Sequence, residues 1–290
     1  MKHQASKGFT LLELSIVFVI IAILITGVVR GASMVKSSKL STARSLTAKS
    51  IVPDIDGLVA WYETSSVDSL KDSQYFDGAR TSEWYDISPG SLASQKNKLT
   101  RTASSAVTYK SDGINKIPSI YFSGTASNIS LSSFYQGPTK AATVFVVFRP
   151  NSAISALKTI VDGASATYSL SINSTVVTLN AGTSVSTGTA TNSASFTNGV
   201  SYIVAAYFNG ASSAAYVNNV ITKTGGAVID AGSANAFNGI FIGSTKTTAS
   251  NFFTGFVSEV IVYNRPLKID ERRAVFRYLS NKYKIAVIDS

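Results

Sequence analysis

The sequence predicts an α+β chain: a long N-terminal transmembrane helix, then an all-β jelly-roll sandwich that ends in a C-terminal amphipathic helix. Three observations predict it. Residues 9–29, FTLLELSIVFVIIAILITGVV, form one apolar run interrupted by a single carboxylate. Beyond residue 54 the hydrophobic period drops to two, in many short runs punctuated by Asn-Gly, Asp-Gly, Gly-Gly and Asn-Asn pairs. Near the C-terminus a single segment returns to the helical period.

The apolar run comes first. At 1.5 Å per residue, 21 residues reach about 31 Å, enough to cross the hydrocarbon core. A cleaved secretory signal would have a shorter apolar core followed by a polar stretch and a small-x-small site. Gly31-Ala32-Ser33 supplies small residues but no polar stretch, so a spanning anchor fits the length better. Charge bias leaves orientation open, because Lys2 and Lys7 precede the run while Arg30, Lys36 and Lys39 follow it.

Glu13 stands out. A carboxylate inside an apolar spanning helix costs roughly 2.5–3.5 kcal/mol, which points to a partner. The simpler reading is a capping box, since Thr10-Leu11-Leu12-Glu13 has the S/T-x-x-E spacing. That reading does not account for the short basic stretch 1–8, MKHQASKG, which ends in glycine.

Lys7-Gly8-Phe9-Thr10-Leu11-Leu12-Glu13-Leu14 and the Ile/Val/Leu run after it resemble the type III signal of type IV prepilins and type II secretion pseudopilins. The resemblance implies a leader over 1–8, cut between Gly8 and Phe9 by a prepilin peptidase that also methylates the new Phe9 amine. It implies that Glu13 pairs with the Phe9 amine of a neighbouring subunit during assembly. A buried carboxylate is tolerated when a cation neutralises it. The implied partners are other pilin subunits, in a homo- or hetero-polymer, the prepilin peptidase, an inner-membrane assembly platform and the membrane itself. The implied location is the inner membrane before assembly and an extracellular or periplasmic filament afterwards, single-pass, with the C-terminal domain outside the cytoplasm.

The helix is expected to continue. Residues 30–51 contain no proline, and Ala32, Val35, Leu46 and Ser50 form a loose stripe among basic residues, before Pro53 supplies a stop. A helix over 9–52 results, with Gly27 and Gly31 as weak points of about 1 kcal/mol each relative to alanine.

From 54 to 290 the sequence reads as one sandwich. Strands are predicted at 58–62, 119–122, 143–148, 169–172, 175–179, 202–208, 214–217, 220–222, 239–242 and 256–263, with a tight hairpin at Asn218-Asn219. From Lys268 to Lys282 the residues Val275, Phe276, Leu279 and Tyr283 share one helical face, and Asp270 and Glu271 sit in the first turn. The Ser/Thr/Ala/Gly tract at 181–195 reads as an exposed loop or edge.

Asp56-Gly57-Leu58-Val59-Ala60-Trp61-Tyr62, Glu83-Trp84-Tyr85-Asp86, Ile117–Gly124, Thr143–Phe148 and Phe256–Leu267 together resemble the LamG-like, concanavalin A-like lectin/glucanase superfamily. Members include carbohydrate binders, protein binders and glycoside hydrolases. The Glu-x-Asp-x-(x)-Glu strand motif of the hydrolases is absent, Glu259 stands alone on its strand, and Asp270-Glu271 belong to a helix start. The chain is therefore not expected to be an enzyme. Trp61 and Trp84 are candidate sugar or ligand contacts, set against the plainer reading of both as core. Asp54, Asp56, Asp77, Asp86, Asp112 and Asp162 are candidate Ca²⁺ ligands, set against turn roles for each.

Composition narrows the chemistry. The chain has no cysteine, and its one histidine is His3, which excludes disulfides, zinc thiolates, histidine triads and multi-histidine metal sites. The net charge of +10 is dispersed, with crowding only along 36–49 and 265–277, so no nucleic-acid partner is expected. The function expected is a type IV pilin-like filament subunit whose lectin-like head serves adhesion through a glycan or surface ligand. A pseudopilin of a type II secretion or DNA-uptake apparatus and a membrane-tethered carbohydrate-binding module are the alternatives.

Overall fold

Helix α1 (Leu11–Ala48) leads a computed structural model that describes residues 9–91, 96–101, 106–164, 168–181, 190–193, 195–210, 212–222, 237–246 and 250–288. The helix starts where the sequence places its cap: Thr10 is extended, and its hydroxyl accepts from the Glu13 N–H. It runs unbroken through Gly27 and Gly31, and a Cβ at either would meet nothing within 4 Å. It ends earlier than residue 52, because a 3-10 turn, Val52–Asp54, carries the N–H-less Pro53.

The large apolar side chains from Phe9 to Val35 are exposed. The helix meets the rest of the chain only beyond them. Lys36, Leu40 and Leu46 are half-buried there, and Ala43, Thr47 and Ser50 are buried. This stripe differs from the expected one. Val35 stays exposed at the mouth of a cleft, the long stem of Lys36 takes a place on the packed side, and the side chain of Ala32 lies outside what is described.

Among the described residues the strands form two antiparallel sheets of eight. The first runs β14 (Val220–Thr222), β13 (Ala214–Val217), β12 (Tyr202–Phe208), β7 (Ala142–Pro150), β16 (Thr254–Tyr263), β5 (Ile117–Ser123), β4 (Val107–Ile114). Along one edge, β16 pairs its first half with β5 and its second half with β1 (Leu58–Glu63). The second sheet runs β11 (Ala190–Ser193), β10 (Val176–Ala181), β9 (Tyr168–Ile172), β8 (Lys158–Gly163), β15 (Ile240–Ile242), β6 (Ile129–Leu131), β3 (Leu99–Arg101), β2 (Glu83–Trp84).

Two cores result. One lies between the sheets, with Tyr62, Trp84, Phe122, Val144, Phe148, Tyr168 and Phe208 among its members. The other lies on the outer face of the first sheet, where Phe145, Val147, Ile203 and Ile261 meet Ala43 of α1 and Val275, Phe276, Leu279 and Tyr283 of α2 (Ile269–Tyr283). The first sheet is thus covered on both faces. That is why TVFVVF in β7 and YIVAAYF in β12 are continuous apolar runs rather than alternating ones. In the β13–β14 hairpin, Asn218 and Asn219 take φ of 50° and 66°, the left-handed pair that a two-residue turn of this hand needs.

Candidate functional site

At the N-terminus, Phe9 is 89 % exposed, and Gly8 lies outside the described residues. The Glu13 Oε2 accepts from the Thr10 N–H at 2.8 Å and the Thr10 hydroxyl at 2.9 Å, closing the capping box. Within one chain the carboxylate therefore satisfies the helix start. It remains on the exposed side of an exposed apolar helix, where a second partner can reach it.

The other concentration of chemistry lies under α2. Glu259 is the one carboxylate on β16, as expected, but its register partner on the neighbouring strand is Glu63, the last residue of β1. The Lys282 ammonium sits between them, 2.9 Å from Glu63 Oε2 and 2.8 Å from Glu259 Oε2, with all three side chains at 0 % exposure. Lys282 also donates to Thr47 Oγ1 of α1 at 2.7 Å. Glu259 further accepts from Trp61 Nε1, Tyr278 OH and Tyr283 OH, at 2.7, 2.8 and 2.9 Å. Glu63 further accepts from the Ser65 N–H and hydroxyl, the Ser66 N–H and the Ser69 hydroxyl.

The electrostatics follow from that geometry. Burial pushes the Glu63 carboxyl up, but the Lys282 charge and the Ser65 bonds outweigh it and hold the group below the ordinary carboxylate range. Burial pushes Lys282 down, and the Glu259 and Glu63 charges more than restore it. Burial, with Glu259 beside them, raises the Tyr278 and Tyr283 phenols far above 10. Both carboxylates are saturated with donors, and neither meets solvent. The pair has the residue types of a glycosidase dyad but no access for a sugar. It fastens α1, α2, β1 and β16 to one another.

The two candidate sugar-stacking tryptophans are not at the surface. Trp61 is 3 % exposed, bonded to Glu259 and edge-on to Tyr278. Trp84 is fully buried between the sheets against Tyr62, its Nε1 donating to the Glu63 carbonyl at 2.8 Å. Neither ring presents a face to a ligand. The aspartates are dispersed as well. Asp86 accepts from the Trp61 and Ser88 N–H groups and Asn97 Nδ2, and Asp162 from the N–H groups of Gly163, Tyr168 and Lys246. Asp77 caps Ser111, Asp112 faces Lys116, and Asp56 offers its carbonyl to Arg265. Among the described residues, no three Asp, Glu or His side chains converge as a metal site would require.

A model of the concanavalin A-like lectin/glucanases superfamily matches residues 123–271, just over half of the chain. The chain belongs to that superfamily. This lectin/glucanase-type chain also carries the prokaryotic N-terminal methylation motif, matched over residues 3–29. No curated protein matches it in sequence. Among solved structures it is similar to Trypanosoma rangeli sialidase in complex with sialic acid, at 15 % identity and a TM-score of 0.51 over 77 % of this chain. It is also similar to the binding domain of botulinum neurotoxin serotype D/C VPI 5993, at 12 % identity and a TM-score of 0.50, covering 79 % of this chain and 53 % of that one. The chain spans about a third of the sialidase, 33 %, so the likeness is one of fold.

Proposed function

We propose that the chain is a type IV pilin-like filament subunit, cut between Gly8 and Phe9 and N-methylated on Phe9, with a lectin-like head for adhesion. One observation carries the reading. The apolar face of α1 from Phe9 to Val35 is exposed along its whole length, and it begins at a carboxylate that only a cation can accompany into an apolar bundle. Packing many copies side by side buries that face, and the Phe9 amine of a neighbour supplies the cation for Glu13. The methylation motif over 3–29 supports the same account. The head then stands outside the cytoplasm, displayed on the filament surface. Its ligand contacts are sought among exposed residues, since Trp61 and Trp84 are enclosed. The sealed carboxylate pair is assigned no catalysis.

The test separates the two roles of Glu13. Glutamine preserves the S/T-x-x-E/Q capping box and removes the charge, whereas alanine removes both. In the native host, Glu13→Gln and Glu13→Ala should both lower filament number, with the glutamine chain still helical from Leu11. Wild-type filament numbers in Glu13→Gln would contradict the charge-pairing role. Loss of exoprotein secretion in both variants, with no surface fibre labelled by antibody, would assign the chain to a secretion apparatus instead.

A further inference from the structure

The underside of the head is basic where α1 leaves it. The β4–β5 hairpin reaches α1 first at Lys36, whose Nζ donates to Ser111 Oγ at 2.8 Å, and then at Lys39, whose Nζ points to the Asn115 carbonyl. Around this hairpin two open clefts of about 430 and 520 Å³ are lined by Lys36, Lys39, Lys116 and Arg149, and a third neighbouring cleft by Lys284. Asp112 is the acidic side chain among the described residues lining them, and it is already engaged by Lys116 at 2.9 Å. Arg149 is held in place by stacking on the Phe256 ring, 4.4 Å from its centroid, and its buried Nε makes no hydrogen bond among the described residues.

The position of this cluster gives it a target. At 1.5 Å per residue, Lys36 and Lys39 lie about 10 and 15 Å along the helix from Val29, the end of the apolar run. The polar layer of a bilayer extends several ångströms beyond the hydrocarbon, and a charged surface acts over a Debye length of about 8 Å at physiological salt. A chain spanning the membrane through 9–29 therefore holds these cations over the headgroups of the leaflet from which it emerges.

We propose that Lys36, Lys39, Lys116 and Arg149 form a docking site for the phosphate headgroups of anionic phospholipids, seating the head on the membrane while the subunit is unassembled. The site rests on the reading of 9–29 as a spanning segment. Seating holds the head in one orientation, and withdrawal into a filament leaves the headgroups behind.

The full chain is reconstituted into phosphatidylcholine vesicles with and without about 30 % phosphatidylglycerol, and amide exchange is followed over the β4–β5 hairpin. Exchange at 111–116 should slow about fivefold or more with the anionic lipid, the ratio expected when even one basic residue gains a surface contact. High salt should abolish the difference and the double variant Lys39→Gln/Lys116→Gln should reduce it about fivefold or more, whereas Lys158→Gln/Lys268→Gln should preserve it. Equal exchange in both vesicles, with the chain resistant to carbonate extraction, overturns the docking site alone. A chain stripped by carbonate overturns the membrane reading and the site together. The same protection from inorganic phosphate in detergent assigns the site to a soluble anion, and protection that grows with protein concentration in detergent assigns it to a second copy. Either result overturns the lipid proposal.

Discussion

Lys282 Nζ lies 2.8 Å from Glu259 Oε2 and within 2.9 Å of Glu63, so that one ammonium from α2 joins two carboxylates facing each other across the β1–β16 ladder. Its further bond to Thr47 brings the end of α1 into the same cluster. The helix that carries the apolar segment is thereby fixed to the head through a buried ion triad as well as through Ala43 and Val52.

Removing the cation leaves two buried carboxylates facing each other. Lys282→Met should lower stability by about 3–5 kcal/mol, the usual loss when one member of a buried ionic group is deleted. Denaturant unfolding of the full chain in mild detergent measures it. Replacing both carboxylates as well, in Lys282→Met/Glu63→Gln/Glu259→Gln, should recover much of the loss.

The same triad sets a pH window. Glu63 is held below its ordinary 4.5, so its contribution is complete above that value and is lost as pH falls through the folded-state value. Lys282 is held above 10.5, so its contribution is complete below that value and is lost as pH rises through the folded-state value. The denaturant midpoint should be flat between about pH 5 and 10 and fall on either side. In Lys282→Met the Glu63 carboxyl loses the charge that offsets burial and keeps only its serine bonds, so its value rises and the acid-side loss of stability should be smaller than in the native chain.

Trp84→Phe removes the donor to the Glu63 carbonyl, and Trp61→Phe removes one of the donors to Glu259. Each should lower stability by about 1–3 kcal/mol, the cost of a buried acceptor losing a partner. If the head binds a glycan, its affinity should not follow these losses, because neither ring meets solvent. Calorimetry of unfolding and a glycan-binding titration on the same variants would check both statements.

Gly239 has φ of 74°, and a Cβ there would stand 2.4 Å from the Leu131 carbonyl oxygen, against backbone that cannot swing aside. Gly239→Ala should therefore exceed the roughly 1–3 kcal/mol of a non-glycine residue in that backbone region. Thermal unfolding measures it, and a loss under 1 kcal/mol would contradict the close approach of the β6 and β15 ends.

The long elements were legible because their signals are local. The apolar run marked α1, the Val275/Phe276/Leu279/Tyr283 face marked α2, β7 and β12 hold unbroken apolar stretches, and β16 is apolar on either side of Ser258-Glu259. Six strands went unseen. β2, β3 and β6 are two or three residues long, and β11 lies in the Ser/Thr/Ala tract as a sheet edge. β8 is KTIVDG, with polar ends, and β4, VTYKSDGI, carries an irregular register between Lys110 and Ile114. The ion triad left no local signature. Glu63 and Lys282 are 219 positions apart, and nothing near Glu259 announces that β1 will pair beside it. Glu13 was the reverse case, since both its capping partner and its pilin-like context lie within a few residues.

Intact-mass and N-terminal peptide mass spectrometry of the protein from its native host tests the central claim most directly. The account predicts a chain that begins at Phe9 and carries one added methyl group on its amine. A chain that retains Met1 and the leader, with Phe9 internal and unmodified, would contradict it and leave a membrane-tethered lectin-like module.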